Sequence, residues 1–148
     1  MTVEDEVRQT SEQFYASLNR LINADPGPMM EVWSHRSDVS TMNPRGRVNV
    51  GWEEVRAGWE RATQSMSDGQ VSVEDLIVVP LADDVAYTLG REHGQVKVGG
   101  EPVIIDWRVT TIYRREHGEW KVVHNHTDVS QTMVEAESRA RLEVEQSQ

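Results

Sequence analysis

Residues 101–128, EPVIIDWRVTTIYRREHGEWKVVHNHTD, decide the fold. Two runs within this stretch, Val103 to Arg115 and Glu119 to Asp128, are dense in Val, Ile, Thr, Trp and Tyr, the residues that favour strands. The segment Glu116-His117-Gly118 between them has the composition of a tight turn, with glycine where a left-handed backbone is needed. We therefore expect a long antiparallel hairpin on which the rest of the chain packs.

A three-residue loop would pair residues whose numbers sum to about 234, and successive side chains of a strand point to opposite faces. The expected inner face carries Trp107, Val109, Thr111, Tyr113, Val123, Asn125 and Thr127. The expected outer face carries Arg108, Thr110, Ile112, Trp120, Val122, His124 and His126. Neither face is fully polar, so we expect both to be covered, the outer one by a second copy of the chain in a homodimer.

The remaining segments add helices and shorter strands. Apolar residues recur at helical spacing in Thr2–Asn23 and Gly51–Ser67, which predicts two amphipathic helices, with a short helix at Met29–Trp33 between them. Further strands are expected at Asp38–Met42, Gln70–Pro80 and Asp84–His93. Helices followed by long antiparallel strands indicate an α+β domain, in which a curved sheet closed by helices forms a cone with a small-molecule pocket at its open end.

Composition excludes several classes of function. A length of 148 residues fits one domain, and 25 acidic against 15 basic residues give a net charge of −10, which disfavours nucleic acid and anionic membranes as partners. The chain has no cysteine, which favours a reducing compartment, and no apolar run approaches the roughly 18 residues of a membrane span. We therefore expect a cytoplasmic protein with one domain at residues 1–129 and a charged, helical or frayed tail at 130–148.

The sequence RVTTIYRREHGEWKVVHNHTD at residues 108–128 resembles the C-terminal hairpin of SnoaL-like and ketosteroid-isomerase-like proteins, in the nuclear transport factor 2-like superfamily. The segments VWSHRSDVSTMNPRG (32–46) and VGWEEVRAGW (50–59) are similar to the short strand, turn and third helix of that family. The hairpin is also similar to the association domain of calcium/calmodulin-dependent kinase. The resemblance implies a cone-shaped, cystatin-like fold, with a curved antiparallel (mixed) sheet against three helices. As pocket walls, Trp33, Trp52 and Trp59 would suit a small apolar or aromatic ligand, whereas the resemblance implies no single activity.

The resemblance does not extend to steroid isomerisation by the familial mechanism. In ketosteroid isomerases the general base is the aspartate of an Asp-Pro-x-Gly turn, whereas residues 43–46 here are Asn-Pro-Arg-Gly, and an amide cannot accept the proton. The family's oxyanion tyrosine falls near Ser17, with Tyr15 two residues away. Its protonated aspartate falls at Thr110 or Thr111.

Another pair could move a proton. In the family pattern His35 and Asp38 lie at the pocket end of the short strand, and a histidine paired with a carboxylate can act as a general base near neutral pH. The alternative is that His35 and Asp38 are two exposed polar residues that flank a turn.

We expect Arg91 to point into the cone and, with Asn125, to hold a substrate oxygen, although an ion pair with a local carboxylate would also satisfy the arginine. The expected substrate contacts are Arg91, Asn125, Trp33, Asn43, Trp59, Tyr87, Trp107, Thr111 and Thr127.

His124 and His126 lie two apart on a strand, a spacing that suits either a metal site or an interface between subunits. We predict the interface and no obligatory metal. We also predict no organic cofactor, because the sequence has no glycine-rich phosphate loop.

Two functions stay open. One is a cofactor-independent acid-base enzyme, an isomerase, cyclase, dehydratase or hydrolase, acting on an apolar carbonyl compound; the other is a non-catalytic ligand-binding or oligomerisation module.

Overall fold

Four helices and six strands make up residues 1–147, the part of the chain that the structure, a computed structural model, describes. The helices are α1 (Val3–Leu21), α2 (Gly27–Val32), α3 (Trp52–Ser65) and α4 (Gln131–Gln146). The strands are β1 (Ser40–Met42), β2 (Val48–Val50), β3 (Met66–Ala82), β4 (Val85–Val98), β5 (Glu101–Glu116) and β6 (Glu119–Thr127). Residue 148, the end of the predicted tail, lies outside the described residues.

The six strands form one mixed sheet in the order β2-β1-β6-β5-β4-β3. All neighbours are antiparallel except β1 and β6, which run parallel. Helices α1 and α3 pack against the inner face of the sheet, and their side chains Phe14, Leu21 and Val55 are buried in the core with Tyr113 of β5. The predicted α+β cone is confirmed. No helix among residues 1–147 is long and apolar enough to cross a membrane.

The β5–β6 hairpin has the predicted strands but a different loop. Only His117 and Gly118 form the loop, both with positive φ (52° and 80°), so Glu116 pairs directly with Glu119. Two left-handed residues are the usual conformation of a two-residue hairpin loop, because their twist matches that of the strands. The predicted three-residue loop, and the register derived from it, are therefore wrong.

A bulge between Ile112 and Tyr113 changes the register again along this hairpin. Beyond the bulge the inner and outer faces agree with the sequence analysis, but between the bulge and the loop the faces of β6 are exchanged, whereas Tyr113 of β5 points inwards as predicted. Val122, predicted on the outer face, pairs with Tyr113 and is fully buried. Trp120, also predicted on the outer face, donates its indole N–H to Glu6 of α1 at 2.7 Å.

The β4–β5 hairpin decides which charged side chain points inwards. Its loop is Gly99 and Gly100, which have φ values of 57° and 81°. This loop pairs Glu92 with Trp107, and Arg91 with Arg108. An inward Arg91 would need a pairing that differs by one residue, because a shift of one residue moves every side chain of a strand to the other face. The inward residue is therefore Glu92, and the prediction of an inward Arg91 is wrong.

Gly94 of β4 should be intolerant of any side chain. Its φ is 149°, and a Cβ atom at this position would lie 1.9 Å from the carbonyl oxygen of Gln70 on β3. We expect Gly94→Ala to lower the free energy of unfolding by about 3 kcal/mol or more, because backbone strain and overpacking add.

Gly100→Ala is the matched control, since Gly100 also has a positive φ but a Cβ atom there would have no neighbour within 4 Å. This variant should lose only about 1–2 kcal/mol. Urea denaturation of both variants measures the difference, and equal losses would contradict the steric argument.

Candidate functional site

A cavity lies inside the cone, between the inner face of the sheet and helices α1, α3 and α4, with a volume of about 80 Å3. Its wall is mostly apolar, and includes Leu18, Val55, Met66, Val96, Ile105 and Met133. A cavity of about 150 Å3 is known to hold benzene, so this one accepts a molecule of that size only when flexible side chains such as those of Met66 and Met133 move aside. Apolar walls with a few polar groups are typical of ligand sites.

Glu92 is the buried carboxyl group of this cavity. Only 4% of the residue is exposed. Its Oε2 accepts a hydrogen bond from the hydroxyl of Tyr15 at 2.8 Å, and its Oε1 accepts one from the indole N–H of Trp107 at 2.8 Å. Burial raises the pKa of Glu92 above its usual value, and these two hydrogen bonds oppose the rise only in part. The site therefore holds a carboxyl group that keeps its proton to a higher pH than an exposed glutamate does.

A row of polar side chains crosses the inner face beside the cavity. Asn49, Thr41, Asn125 and Thr111 are neighbours on the successive strands β2, β1, β6 and β5. The amide of Asn49 donates to the hydroxyl of Thr41 at 3.0 Å, and the amide of Asn125 donates to that of Thr111 at 2.9 Å. Each amide has a second N–H and a carbonyl oxygen beyond these bonds, so the row can bind further polar groups.

Helix α4 closes the cavity. The hydroxyl of Ser130 caps its first turn by accepting from the backbone N–H of Met133 at 3.2 Å. Met133 is 1% exposed and lines the cavity, and Ala136 in the next turn is also buried. Arg139 pairs with Glu101 at the start of β5. The segment for which the sequence left a helical or a frayed state open is thus a helix with one side packed over the cone.

The predicted His35 and Asp38 pair does not form. His35 is exposed, stacks on Trp52 with 4.1 Å between ring centroids, and places its Nε2 2.6 Å from the carbonyl oxygen of Met30. Asp38 is exposed and accepts two hydrogen bonds from Arg114, at 2.7 and 3.0 Å, which hold the pKa of its carboxyl group below the usual value. Neither residue lines the cavity, so the structure does not support the catalytic role predicted for them.

Three predicted substrate contacts also lie away from the cavity. Arg91 is on the outer face, where it pairs with Asp106 at 2.9 Å. Tyr87 is on the same face because it is paired with Ile112. Trp33 is buried beside Trp59, with 6.2 Å between ring centroids, but it does not line the cavity.

The other predicted contacts are brought together. Asn43, Trp59, Trp107, Asn125 and Thr127 all line the cavity. The remaining predicted contact, Thr111, does not line the cavity but accepts a hydrogen bond from the amide of Asn125. Their role in binding a substrate stays a prediction.

His124 and His126 lie on the outer face. The Nδ1 of His124 is 2.7 Å from the hydroxyl of Ser40, and the two imidazole rings are 6.2 Å apart at 65°. Burial lowers the pKa of His124, and the neighbouring His126 lowers it further. Within residues 1–147 no group of three or more His, Cys, Asp and Glu side chains is arranged to hold a metal ion.

The family model for the SnoaL-like domain matches residues 7–130. The chain belongs to the SnoaL-like family. This SnoaL-like protein extends beyond the matched region by the whole of α4. No curated protein matches it.

Solved structures share the fold of this SnoaL-like protein. A candidate dehydratase of the NTF2-like family from Streptomyces avermitilis superposes with a TM-score of 0.73 at 20% identity, over 86% of this chain and 95% of that chain. A ketosteroid isomerase-like protein from Erwinia carotovora atroseptica gives 0.71 at 16%, over 84% and 94%. A candidate calcium/calmodulin-dependent protein kinase type II association domain from Thiobacillus denitrificans gives 0.67 at 24%, over 84% and 94%. At these identities the likeness establishes the fold and not the reaction.

Sequence reasoning missed two of the charged residues of this SnoaL-like site, Glu92 and Arg45. A signal for Glu92 was present, because two consecutive glycines between strands favour a two-residue loop, and that loop brings Glu92 to the inner face. No local pattern indicates that Arg45 is buried, since its neighbours in the turn are exposed or half-buried.

The raised pKa of Glu92 predicts how the stability of this SnoaL-like protein depends on pH. The folded protein holds the Glu92 proton more tightly than the unfolded chain, so this contribution is complete below the usual pKa of 4.5 and is lost as pH rises through the raised value. Glu92→Gln has no such proton, and glutamine can still accept from Trp107 while donating to Tyr15. The stability of the variant relative to wild type should therefore increase with pH above 4.5.

Chemical denaturation at a series of pH values from about 5 to 8 measures this difference. Glu12→Gln, at an exposed position of α1, is the control and should keep a constant difference from wild type. A constant difference for Glu92→Gln as well would contradict the raised pKa.

Proposed function

We propose that this SnoaL-like protein is a cofactor-independent acid-base enzyme that eliminates water from, or moves a double bond within, a small apolar carbonyl compound. Glu92 carries this proposal, because a carboxyl group with a raised pKa in the wall of an apolar cavity is suited to move a proton near neutral pH. The similarity to a candidate dehydratase and to a ketosteroid isomerase-like protein supports the same reaction class.

Glu92 alone can complete the proton transfers of such a reaction. Its carboxylate removes a proton from the carbon next to the carbonyl group, and the electron pair of that C–H bond moves to give an enolate. In a β-hydroxy compound the enolate expels the hydroxyl group, which leaves as water with the proton that Glu92 returns. If Glu92 instead returns the proton to another carbon, the product is an isomer.

The hydrogen bonds around Glu92 suit this role. Tyr15 and Trp107 each donate to one carboxyl oxygen, so they orient the group and stabilise its ionised form after the proton leaves. Asn125 and Thr127 line the same cavity and can donate to the carbonyl oxygen on which negative charge develops. The apolar wall excludes water and so strengthens these interactions.

Proton abstraction can be tested without knowing the natural substrate. Cyclohexanone in D2O exchanges the protons next to its carbonyl group, and 1H NMR measures the rate. We expect the protein to raise this rate above that of buffer. Glu92→Gln should lower the protein-dependent rate by about 100-fold or more, because general acid-base catalysis contributes at least that much.

The control is again Glu12→Gln, which should exchange cyclohexanone as fast as wild type. Formation of cyclohexenone from 3-hydroxycyclohexanone, followed by ultraviolet absorbance, separates dehydration from simple enolisation. If wild type does not exceed buffer, or if Glu92→Gln retains the wild-type rate, the enzyme proposal fails and the non-catalytic ligand-binding module is favoured.

We also propose that the protein forms a homodimer through the outer face of the sheet. Apolar side chains of this face are exposed, including Ile77, Leu89 and Ile104, and Ile104 is 70% exposed. Leu89 lies between Ile77 and Thr110 in one row across the sheet, and this row continues to His126. A mixed apolar and polar surface of this kind suits pairing with an identical surface about a twofold axis.

Leu89→Asp should convert the dimer to a monomer, because the twofold axis brings two new carboxylates close together in an apolar contact. Light scattering after size exclusion measures the mass. Val144→Asp places the same charge on an exposed apolar position of α4 and should leave the dimer intact. A wild-type monomer, or equal effects of both substitutions, would contradict this interface.

A further inference from the structure

Arg45 is a buried cation in the wall of the cavity. It lies in the turn between β1 and β2, lines the cavity with Asn43 and Pro44, and only 7% of its side chain is exposed. A guanidinium group has five N–H donors and is costly to bury without partners. Its hydrogen bonding is therefore informative about what this part of the cavity is built to hold.

Protein atoms satisfy this guanidinium group poorly. One N–H group on Nη2 donates to the carbonyl oxygen of Gly58 over a long distance of 3.4 Å. Among residues 1–147 the only carboxylate within salt-bridge distance belongs to Glu137 of α4, with 3.1 Å between Nε of Arg45 and Oε2. The geometry is poor, because both of these atoms are buried and neither forms a hydrogen bond. The pair has charge attraction without the bidentate fit that arginine and a carboxylate can adopt.

Two further arginines make this end of the cavity positive. Arg47 also pairs with Glu137, at 3.6 Å, and the side chain of Arg61 lies close to Gly58. Burial lowers the pKa of Arg45, the carboxylate of Glu137 raises it, and Arg47 and Arg61 lower it again. A positive cluster on a chain with a net charge of −10 attracts small anions selectively to this place.

We infer that Arg45 binds an anionic group of the ligand, a carboxylate, and that Glu137 of α4 occupies the same place when the site holds no ligand. This inference rests on the proposed function, since it names the class of compound that the cavity accepts: a small acid with an apolar body. Ligand carboxylate and Glu137 compete for one guanidinium group, so binding weakens the contact between α4 and the turn. Helix α4 therefore acts as a cover whose closure depends on the charge of the ligand.

The arrangement also orients the ligand relative to Glu92. The hydrogen bonds of Glu92 go to Tyr15 and Trp107, whereas the side chain of Arg45 donates to Gly58 of α3 and forms an ion pair with Glu137 of α4. A ligand whose carboxylate is held at Arg45 places its apolar body against the cavity wall and presents a carbon atom to Glu92. The carbonyl compound of the proposed reaction is thus a small keto acid, whose carboxylate is held at Arg45 and whose ketone takes part in the reaction.

Phenylacetate and phenylacetamide test the inference, because they have nearly the same shape and differ in charge at pH 7.5. Calorimetric titration gives both affinities, and the indole N–H signals of Trp59 and Trp107 in NMR spectra report binding in the cavity. We expect wild type to bind phenylacetate about tenfold or more tightly than phenylacetamide, as a charge-assisted hydrogen bond requires. Arg45→Met should abolish this preference or reverse it, because the carboxylate of Glu137 stays beside the site and repels phenylacetate.

Glu137→Gln removes the competing carboxylate and should strengthen binding of phenylacetate more than binding of phenylacetamide. Arg139→Met is the matched control, because it removes the other ion pair of α4, with Glu101, without touching Arg45. This variant should change both affinities by the same factor. Glu137→Gln keeps the test decisive if Arg45→Met does not fold.

The inference is overturned if wild type binds both compounds equally, or if Glu137→Gln acts as Arg139→Met does. If neither compound binds, this inference fails, and the exchange of cyclohexanone decides separately whether the proposed function stands. Selective binding of phenylacetate in a protein that does not exchange cyclohexanone would retain Arg45 as an anion site and remove only the catalytic proposal. Glu92→Gln should bind phenylacetate no less tightly than wild type, which separates the roles of the two charged residues.

Discussion

The two-residue loop at Gly99 and Gly100 sets the pairing of β4 with β5, and the site depends on this pairing. It places Glu92 and Trp107 side by side on the inner face, within reach of Tyr15 on α1. A buried carboxyl group is costly unless it is hydrogen-bonded, so the helix and both strands must be in place together. The strand pairing that places Glu92 inside the cone therefore also joins α1 to the sheet, through the hydrogen bond from Tyr15.

Strand and helix content follow from local patterns in this chain, whereas register follows from the length of each loop. The β-rich runs on either side of residues 116–118 predict the β5–β6 hairpin, and helical spacing predicts α1 and α3. The loop of β5–β6 was harder to predict because His117 has a left-handed backbone, which few residues other than glycine adopt. A difference of one residue there, and another at Gly99 and Gly100, is enough to exchange faces.

The predicted positions agree with the structure on β5 and β6 beyond the bulge and differ from it at His35, Asp38 and Arg91, whereas the predicted roles stay predictions. Trp107, Asn125 and Thr127 face the cavity because alternate residues of β5 and β6 do so. Asp38 is instead bound by Arg114, which is remote in sequence. Burial of Arg45 depends on α4, about ninety residues away, and no local pattern encodes a contact at that separation.

Gly99 has a second neighbour that gives the loop another consequence. A Cβ atom on Gly99 would lie 2.5 Å from the Cβ of Ala140, so α4 packs directly on the β4–β5 loop, and the N–H of Gly99 also bonds to the end of α3. The same two glycines therefore shape both the interior of the cone and its lid: any side chain at Gly99 that displaced α4 would uncover the cavity without touching Glu92.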